Sequence, residues 1–296
     1  VELYVDNERG NDQNPGTLEK PFRTFKKSLE VLKGSDTLHI VPYETPYNEF
    51  FGRLTSKYSG TPDAPTVIDG HGAKLTRLTH FDASCWTDEG DDIYSQRFIH
   101  NVVVMSGKGY YDGFPFVFVD GKPLPCVKKR ADLVPNSCFF YLYWDSKLRK
   151  HPEDHGMLYI KLPPGKTPAD VRIVAPMTNG VIVEGSDYVT VKNINASWSA
   201  SDLFDTAHGK GLVFENITAE NCMDQCISGN IFSKEPVVIF DHKTVTGLEK
   251  IHEIYPTLEK DSIIEPSSVK VTGKGSTIPA DLTHAALKMT VMQNKK

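Results

Sequence analysis

No stretch of this sequence approaches the ~18 consecutive apolar residues of a membrane-crossing helix, so no such span is expected. Positive charge is not in excess either. The 33 lysines and arginines stand against 38 aspartates and glutamates, a formal net charge of −5, which gives no electrostatic reason to expect nucleic acid as a partner. Cysteine is scarce and odd in number: Cys85, Cys126, Cys138, Cys222 and Cys226 follow no zinc-binding spacing, which argues against a metal–cysteine centre. Cys222 and Cys226 are near enough in sequence to close a loop disulfide, or to stack as thiols inside the fold, so the redox compartment stays open. The chain begins at Val1, not methionine, and reads as trimmed, whether by removal of a secretion signal or by excision from a longer protein. At 296 residues it can bury a large core, and one solenoid can account for the whole length.

What the sequence does contain is a repeat. Residues 189–196 (VTVKNINA) are echoed by residues 212–219 (LVFENITA), with Asn193 and Asn216 separated by 23 positions. A weaker third copy starts at Val237, and Asp241 takes the asparagine's place there. A period of this size marks stacked units that share one core. Each unit carries a short alternating strand (Val189 and Val191; Leu212 and Phe214) and leaves too little chain for a helix. The reading is a coil of strands and turns, a right-handed parallel β-helix. An asparagine suits a corner of such a coil because it tolerates a left-handed backbone, and its amide can bond to its counterpart one coil away.

Ahead of the repeat, residues 3–6 read as a strand and residues 7–17 as a polar turn. Residues 21–34 then show helical spacing, with Phe22, Phe25, Leu29 and Leu32 on one face, Pro21 in the first turn and Gly34 at the C-terminal cap. An open solenoid end exposes backbone and core and needs a cap, and this helix is the natural one.

These opening residues carry a resemblance. Gly10-Asn11-Asp12, Asn14-Pro15-Gly16-Thr17, Pro21-Phe22, Thr24 and Asp36-Thr37, with the later run at residues 59–70 (SGTPDAPTVIDG), resemble the opening of extracellular proteins of the pectate-lyase-like β-helix superfamily. The resemblance covers residues 3 to about 75 and 180–241. It implies a secreted carbohydrate-active protein, since polysaccharide lyases and glycoside hydrolases dominate that superfamily, with tailspikes and adhesins a minority. It singles out no one activity.

From about Ser84 the coil rhythm breaks. Residues 116–124 alternate and turn at Asp120-Gly121, a two-residue hairpin signal, and residues 138–144 and 157–163 read as further strands. The expected organisation is a cap and first coils over 1–83, an inserted antiparallel β subdomain over 84–175, and coils with a C-terminal cap over 176–296. Within the last part, residues 247–256 read as helix or loop, 268–273 as one more coil strand and 280–289 as a terminal cap with helical character.

Chemistry is densest beside the repeats. Asp202 and Asp224 lie 22 residues apart, about one coil, and a one-residue bulge would stack them roughly 5 Å from each other. Carboxylates that close cannot both ionise freely, so one keeps its proton as a general acid or a cation neutralises both. Without the bulge Asp202 stacks on Gln225 instead. The same segments are similar to the polygalacturonase motifs, in which Asp202 and Asp224 match catalytic aspartates. Gln225 departs from the family's second aspartate, and the Gly-His-Gly expected one coil later is missing. Gly70-His71-Gly72 lies far upstream. An eliminating lyase instead needs a base and a cation, Ca²⁺ or a basic side chain, to neutralise a uronate carboxylate. His208, Lys210 and Asp205 are available for that, and Trp198 is the aromatic best placed to stack on a sugar. The expected catalytic residues are Asp202, Asp224 and His208, with Trp198, Asp205, Lys210 and Gln225 binding substrate and Ca²⁺ as the possible cofactor. His71, His80 and His100 are scattered and read as surface or structural residues. Trp86, Tyr94, Tyr110, Tyr111, Tyr141, Tyr143 and Trp144 read chiefly as core of the insertion. Two function classes follow: a secreted enzyme that cleaves an acidic polysaccharide by elimination or hydrolysis, or a glycan-binding or surface module without catalysis. Substrate identity and oligomeric state are not legible.

Overall fold

The structure is a computed structural model, and it describes residues 1–97, 117–127, 129–140, 157–177, 180–199, 203–222, 237–240, 243–244, 263–264 and 276–278. In chain order these form β1 (Glu2–Val5), α1 (Phe25–Val31), β2 (Thr37–Ile40), β3 (Tyr47–Asn48), β4 (Gly52–Leu54), β5 (Thr66–Thr76), β6 (Leu78–Phe81), β7 (Thr87–Gly90) and β8 (Ile93–Arg97). They continue as β9 (Phe118–Val119), β10 (Lys122–Pro123), β11 (Cys126–Val127), β12 (Ser137–Phe140), β13 (Met157–Lys161), β14 (Ile173–Pro176), β15 (Val181–Glu184), β16 (Val189–Ser199), β17 (Phe204–Ala207), β18 (Val213–Cys222) and β19 (Val237–Phe240). The described chain is mostly β. The terminal segments expected at residues 247–256, 268–273 and 280–289 lie outside the described residues.

Two parallel sheets share one core. The longer runs β1-β2-β5-β16-β18-β19 and the shorter runs β17-β15-β4. Register explains the core directly. Leu38, Ile68, Val191 and Phe214 are successive partners across four strands, each at most 1% exposed, and Ala73, Ile194 and Ile217 repeat the pattern past a corner. Strand periodicity turns the residues between them outward. Each buried side chain of this kind contributes roughly 1.5–3 kcal/mol.

The corners fall at the repeat's asparagines. Asn193 and Asn216 have φ of 56° and 48°, in the left-handed region. The Asn193 amide donates to Asp69 Oδ1 at 2.8 Å, and the Asn216 amide donates to Asn193 Oδ1 at 2.8 Å. Asp69, Asn193 and Asn216 thus form a ladder along one corner, with β16 and β18 paired at the sequence interval of 23. Asp241, expected as the next rung, lies outside the described residues.

The N-terminal motif is explained residue by residue. Phe22 is 1% exposed and bridges to Val5 beside the edge strand β1, with its N–H donating to Tyr4 O at 2.9 Å. A side chain at position 16 would strike the Phe22 ring at 2.2 Å, and one at position 10 the Phe22 carbonyl at 2.1 Å, so both positions need glycine. Asn14 donates to the Pro21 carbonyl, and Asp12 accepts from the backbone of Arg23 and Thr24 and from the Thr24 hydroxyl. Those bonds hold Thr24 extended, just before the helix, and correct the helix boundary. The helix begins after Thr24, whose hydroxyl accepts from Lys27 N–H at 3.1 Å, and it ends at Val31. Phe22 and Leu32 are buried without being helical, and Gly34 sits against Ser59 O, not at a helix cap. Thr24→Ala is expected to cost about 1–2 kcal/mol through the lost cap and the lost bond to Asp12, with Thr24→Ser recovering most of it in thermal melts.

Strands β5 and β16 are neighbours although two antiparallel sheets form between them in sequence. One runs β10-β9-β14-β6, and the other contains β12-β13-β8-β7 with β11 parallel to β12. The hairpin at Asp120-Gly121 is present, with φ of 50° and 76° between β9 and β10. Tyr94 belongs to the core of these sheets and Trp86 packs on it. Tyr110, Tyr111, Tyr141, Tyr143 and Trp144 lie outside the described residues.

Candidate functional site

The shorter parallel sheet turns Leu54, Val183 and Thr206 into the core and the alternate positions to its other face, where Ile182 is itself only 7% exposed. Arg53, Ile182 and Asp205 are partners in one outward row. At ~4.8 Å per strand, Arg53 and Asp205 stand about 10 Å apart across Ile182. Arg53 Nη1 is paired with the Glu184 carboxylate, which faces outward two residues after Ile182. Asp205 is half-buried, and Ala207 at the end of β17 is level with Glu184.

His208 follows immediately, exposed and left-handed at φ 59°. The next residue has to be small: a side chain on Gly209 would come within 2.3 Å of Ser186 O, just beyond the neighbouring strand β15. Lys210 is exposed. Its N–H donates to Asp187 Oδ1 at 3.1 Å, and its ammonium lies 5.6 Å from the centre of the Tyr188 ring. Asp205, His208 and Lys210 therefore occupy one end of the shorter sheet and the turn leading from it. Trp198 sits at a second left-handed corner, φ 59°, half-buried with its ring edge-on to Phe118 at 4.9 Å. It ties the end of β16 to the antiparallel sheets. Asp202, Asp224 and Gln225 lie outside the described residues. Sequence reasoning passed over Arg53 and Glu184. Their signal was an isolated arginine alternating with buried residues in a strand too short to stand out.

A second polar cluster decorates the asparagine corner of the longer sheet, and it brings together His39 and His71, the latter exposed as a surface residue is expected to be. Tyr4, His39, Asp69, Lys192 and Glu215 are successive partners along an outward row. His71 belongs to a turn in which its own N–H donates to Asp69 Oδ1 at 3.1 Å, with φ of 49°. Gly70 is required beside it, because a Cβ there would lie 2.4 Å from Asn193 O. The turn brings the His71 ring against His39, with centroids 5.0 Å apart and stacked, while Tyr4 stacks on the other side of His39 at 4.7 Å. His39 Nδ1 and His71 Nε2 are 2.8 Å apart, and His39 Nε2 is hydrogen-bonded to the Glu2 carboxylate.

Asp69 is 6% exposed. Burial pushes its pKa up, but the Asn193 amide, the His71 N–H and the Lys192 ammonium at 3.2 Å together outweigh that and hold the carboxyl below the ordinary carboxylate value. His39, Asp69 and His71 are the group of metal-ligating side chains found among the described residues, their ligand atoms all within 4.8 Å of one another. Two imidazoles and one carboxylate do not suit Ca²⁺, which takes oxygen ligands.

No family model matches the chain, and no curated protein matches it. Among solved structures it is similar to XylC in complex with xylose, at 13% identity over 83% of this chain and 54% of that one, with a TM-score of 0.47. It is also similar to a glycoside hydrolase, at 14% identity over 67% of this chain and 50% of that one with a TM-score of 0.36. A rhamnogalacturonan lyase matches at 12% identity over 82% of this chain and 39% of that one, with a TM-score of 0.25. The chain spans about half the length of the first two.

Proposed function

We propose that this chain is the right-handed parallel β-helix of a secreted carbohydrate-active enzyme that cleaves an acidic polysaccharide. The solenoid reading is supported by strands paired at one sequence interval, by left-handed corners stacked in a ladder, and by two parallel sheets around one core. The observation that carries the functional reading is the outer face of the shorter sheet. There a guanidinium (Arg53) and a carboxylate (Asp205) share one row, with Glu184 and His208 at its end.

Elimination from a uronate needs a cation against the sugar carboxylate and a base for the proton alpha to it. The base takes that proton, the glycosidic C–O bond beta to the carboxylate breaks, and the departing sugar oxygen receives a proton. Arg53 supplies a cation in this reading and His208 a base, with Asp202 and Asp224 as the acidic groups and Trp198, Asp205, Lys210 and Gln225 contacting the polymer. Hydrolysis would use Asp202 and Asp224 as general acid and water-assisting carboxylate. Gln225, in place of a second aspartate, favours a competing reading in which the face binds glycan without cleaving it.

The experiment is a screen against uronate-containing polysaccharides with and without Ca²⁺, following unsaturated product by ultraviolet absorbance and reducing ends in parallel. Ultraviolet-absorbing product establishes a lyase, and reducing ends without absorbance a hydrolase. Arg53→Ala and His208→Ala are each expected to lower activity at least ~100-fold, as loss of a charge-stabilising or acid–base group does. Activity untouched by both would remove the site from this face. Silence on every substrate, with retention of the same polysaccharides on an affinity gel, would support the binding module.

A further inference from the structure

We propose that His39, Asp69 and His71 bind one divalent first-row transition-metal ion, of the Zn²⁺ or Ni²⁺ class, on the asparagine corner of the longer sheet. The site belongs to a different sheet from the Arg53–Asp205 row, and the inference does not rest on the functional reading of that row. Three observations carry it.

The first is the meeting of two imidazole nitrogens. His39 Nε2 is held by the Glu2 carboxylate, and the ring's other nitrogen, Nδ1, meets His71 Nε2 at 2.8 Å. A carboxylate fixing the far nitrogen of a histidine is the arrangement that orients metal-ligating imidazoles. Two nitrogens this close must share a proton or a cation. Metal–nitrogen bonds of about 2.0–2.1 Å place two ligand nitrogens about 2.9 Å apart at a right angle and about 3.3 Å apart at the tetrahedral angle, so a tetrahedral ion needs the two rings to part by about half an ångström from 2.8 Å.

The second is the third ligand. Asp69 is the direct strand partner of His39 and lies two residues from His71, and all three ligand atoms fall within 4.8 Å. Two nitrogens and one carboxylate oxygen select a borderline transition metal over Ca²⁺ or Mg²⁺, and a three-residue set leaves a position for water.

The third is rigidity. Tyr4 and the histidine rings are stacked in a row, His71 is fixed by its turn, and Asp69 is fixed by Asn193. The ligands come from adjacent, register-locked strands, so little ordering remains to oppose binding.

Lys192 opposes the ion: its ammonium occupies Asp69 Oδ2 at 3.2 Å. It is half-buried and its strand partner is the exposed Glu215, to which it can turn when a cation takes its place. That competition gives the proposal a gain-of-function test.

Tag-free protein stripped with chelator should bind one Zn²⁺ per chain by titration calorimetry, and Co²⁺ should develop visible absorption on addition. Zn²⁺ should also raise the thermal midpoint, reversibly with chelator. His39→Ala and His71→Ala should each weaken binding at least ~100-fold, and Glu2→Gln about tenfold, the size of an outer-shell loss. Lys192→Met should tighten binding roughly tenfold, because one nearby positive charge is gone. The Lys192 variant keeps the test decisive if a histidine variant does not fold. Absence of stoichiometric binding by the parent chain, or binding unchanged in the folded His39→Ala/His71→Ala double variant and in Lys192→Met, overturns the site.

Discussion

Replacing Asn193 with alanine is expected to lower stability by about 3 kcal/mol, a large effect for a half-buried polar residue outside the core. Two contributions add. At φ 56° an alanine meets the steric penalty of the left-handed region, about 1 kcal/mol. The side chain is also the middle rung of the ladder, donating to a buried carboxylate and accepting from Asn216, both at 2.8 Å. Its removal leaves Asp69 short of a donor and Asn216 short of an acceptor, at about 1 kcal/mol or somewhat more each. Asn193→Gly separates the contributions: it relieves the backbone penalty, keeps the lost bonds, and should recover about 1 kcal/mol of the loss. Asn216→Ala should cost less than Asn193→Ala, because among the described residues it breaks one neutral bond in addition to the strain. Urea midpoints of the three variants check the order. Equal destabilisation by Asn193→Ala and Asn193→Gly would show that the corner conformation contributes nothing.

That ladder was legible in the sequence because a left-handed corner restricts residue type, and the restriction recurs at the 23-residue interval that pairs β16 with β18. The N-terminal motif was legible for a similar reason. Gly10 and Gly16 are forced by the backbone and ring of Phe22, and Asp12 and Asn14 each satisfy specific backbone groups, so their identities carry information. The helix ends were misread where burial imitates periodicity: Phe22 and Leu32 continue the apolar spacing, yet Phe22 is held in a bridge to Val5 and the Asp12–Thr24 bonds delay the helix. The His39–Asp69–His71 cluster was not legible. Its members meet only through the register of β2 on β5, about 30 residues apart, and register is set by core stacking that no single strand reveals. The signal that could have pointed to it was a histidine between two glycines, directly after an outward aspartate. Arg53 and Glu184 were missed for the same physical reason, since 131 positions separate a pair that the pairing of β4 with β15 brings together.

The sharpest pH dependence is expected from Asp6, the residue that closes the loop before the motif. Its carboxylate is fully buried and accepts from the N–H groups of Glu8 and Arg9, the Arg9 guanidinium and the Tyr43 hydroxyl, at 2.9 to 3.0 Å. Burial by itself would raise its pKa. The donors from Arg9, Tyr43 and Glu8 outweigh it, and the carboxyl titrates below its ordinary value. A carboxylate depressed in the folded state binds its proton more readily when the chain is unfolded. Its contribution is therefore complete above the unfolded value of about 3.9 and is lost as pH falls through the lower folded value. Asp6→Asn replaces an acceptor of four donors with a group that can accept at only one atom, and should cost about 2–3 kcal/mol at neutral pH. The cost should shrink in acid, because the parent chain then loses the same interaction by protonation and the variant does not. Asp12, also depressed once its bonds to Thr24 and Arg23 outweigh burial, should keep some acid sensitivity in the variant. Urea titrations of both proteins from neutral pH down through pH ~3 test this. A difference that stays constant across the range would mean that Asp6 acts through shape alone, with its charge contributing nothing to the folded state.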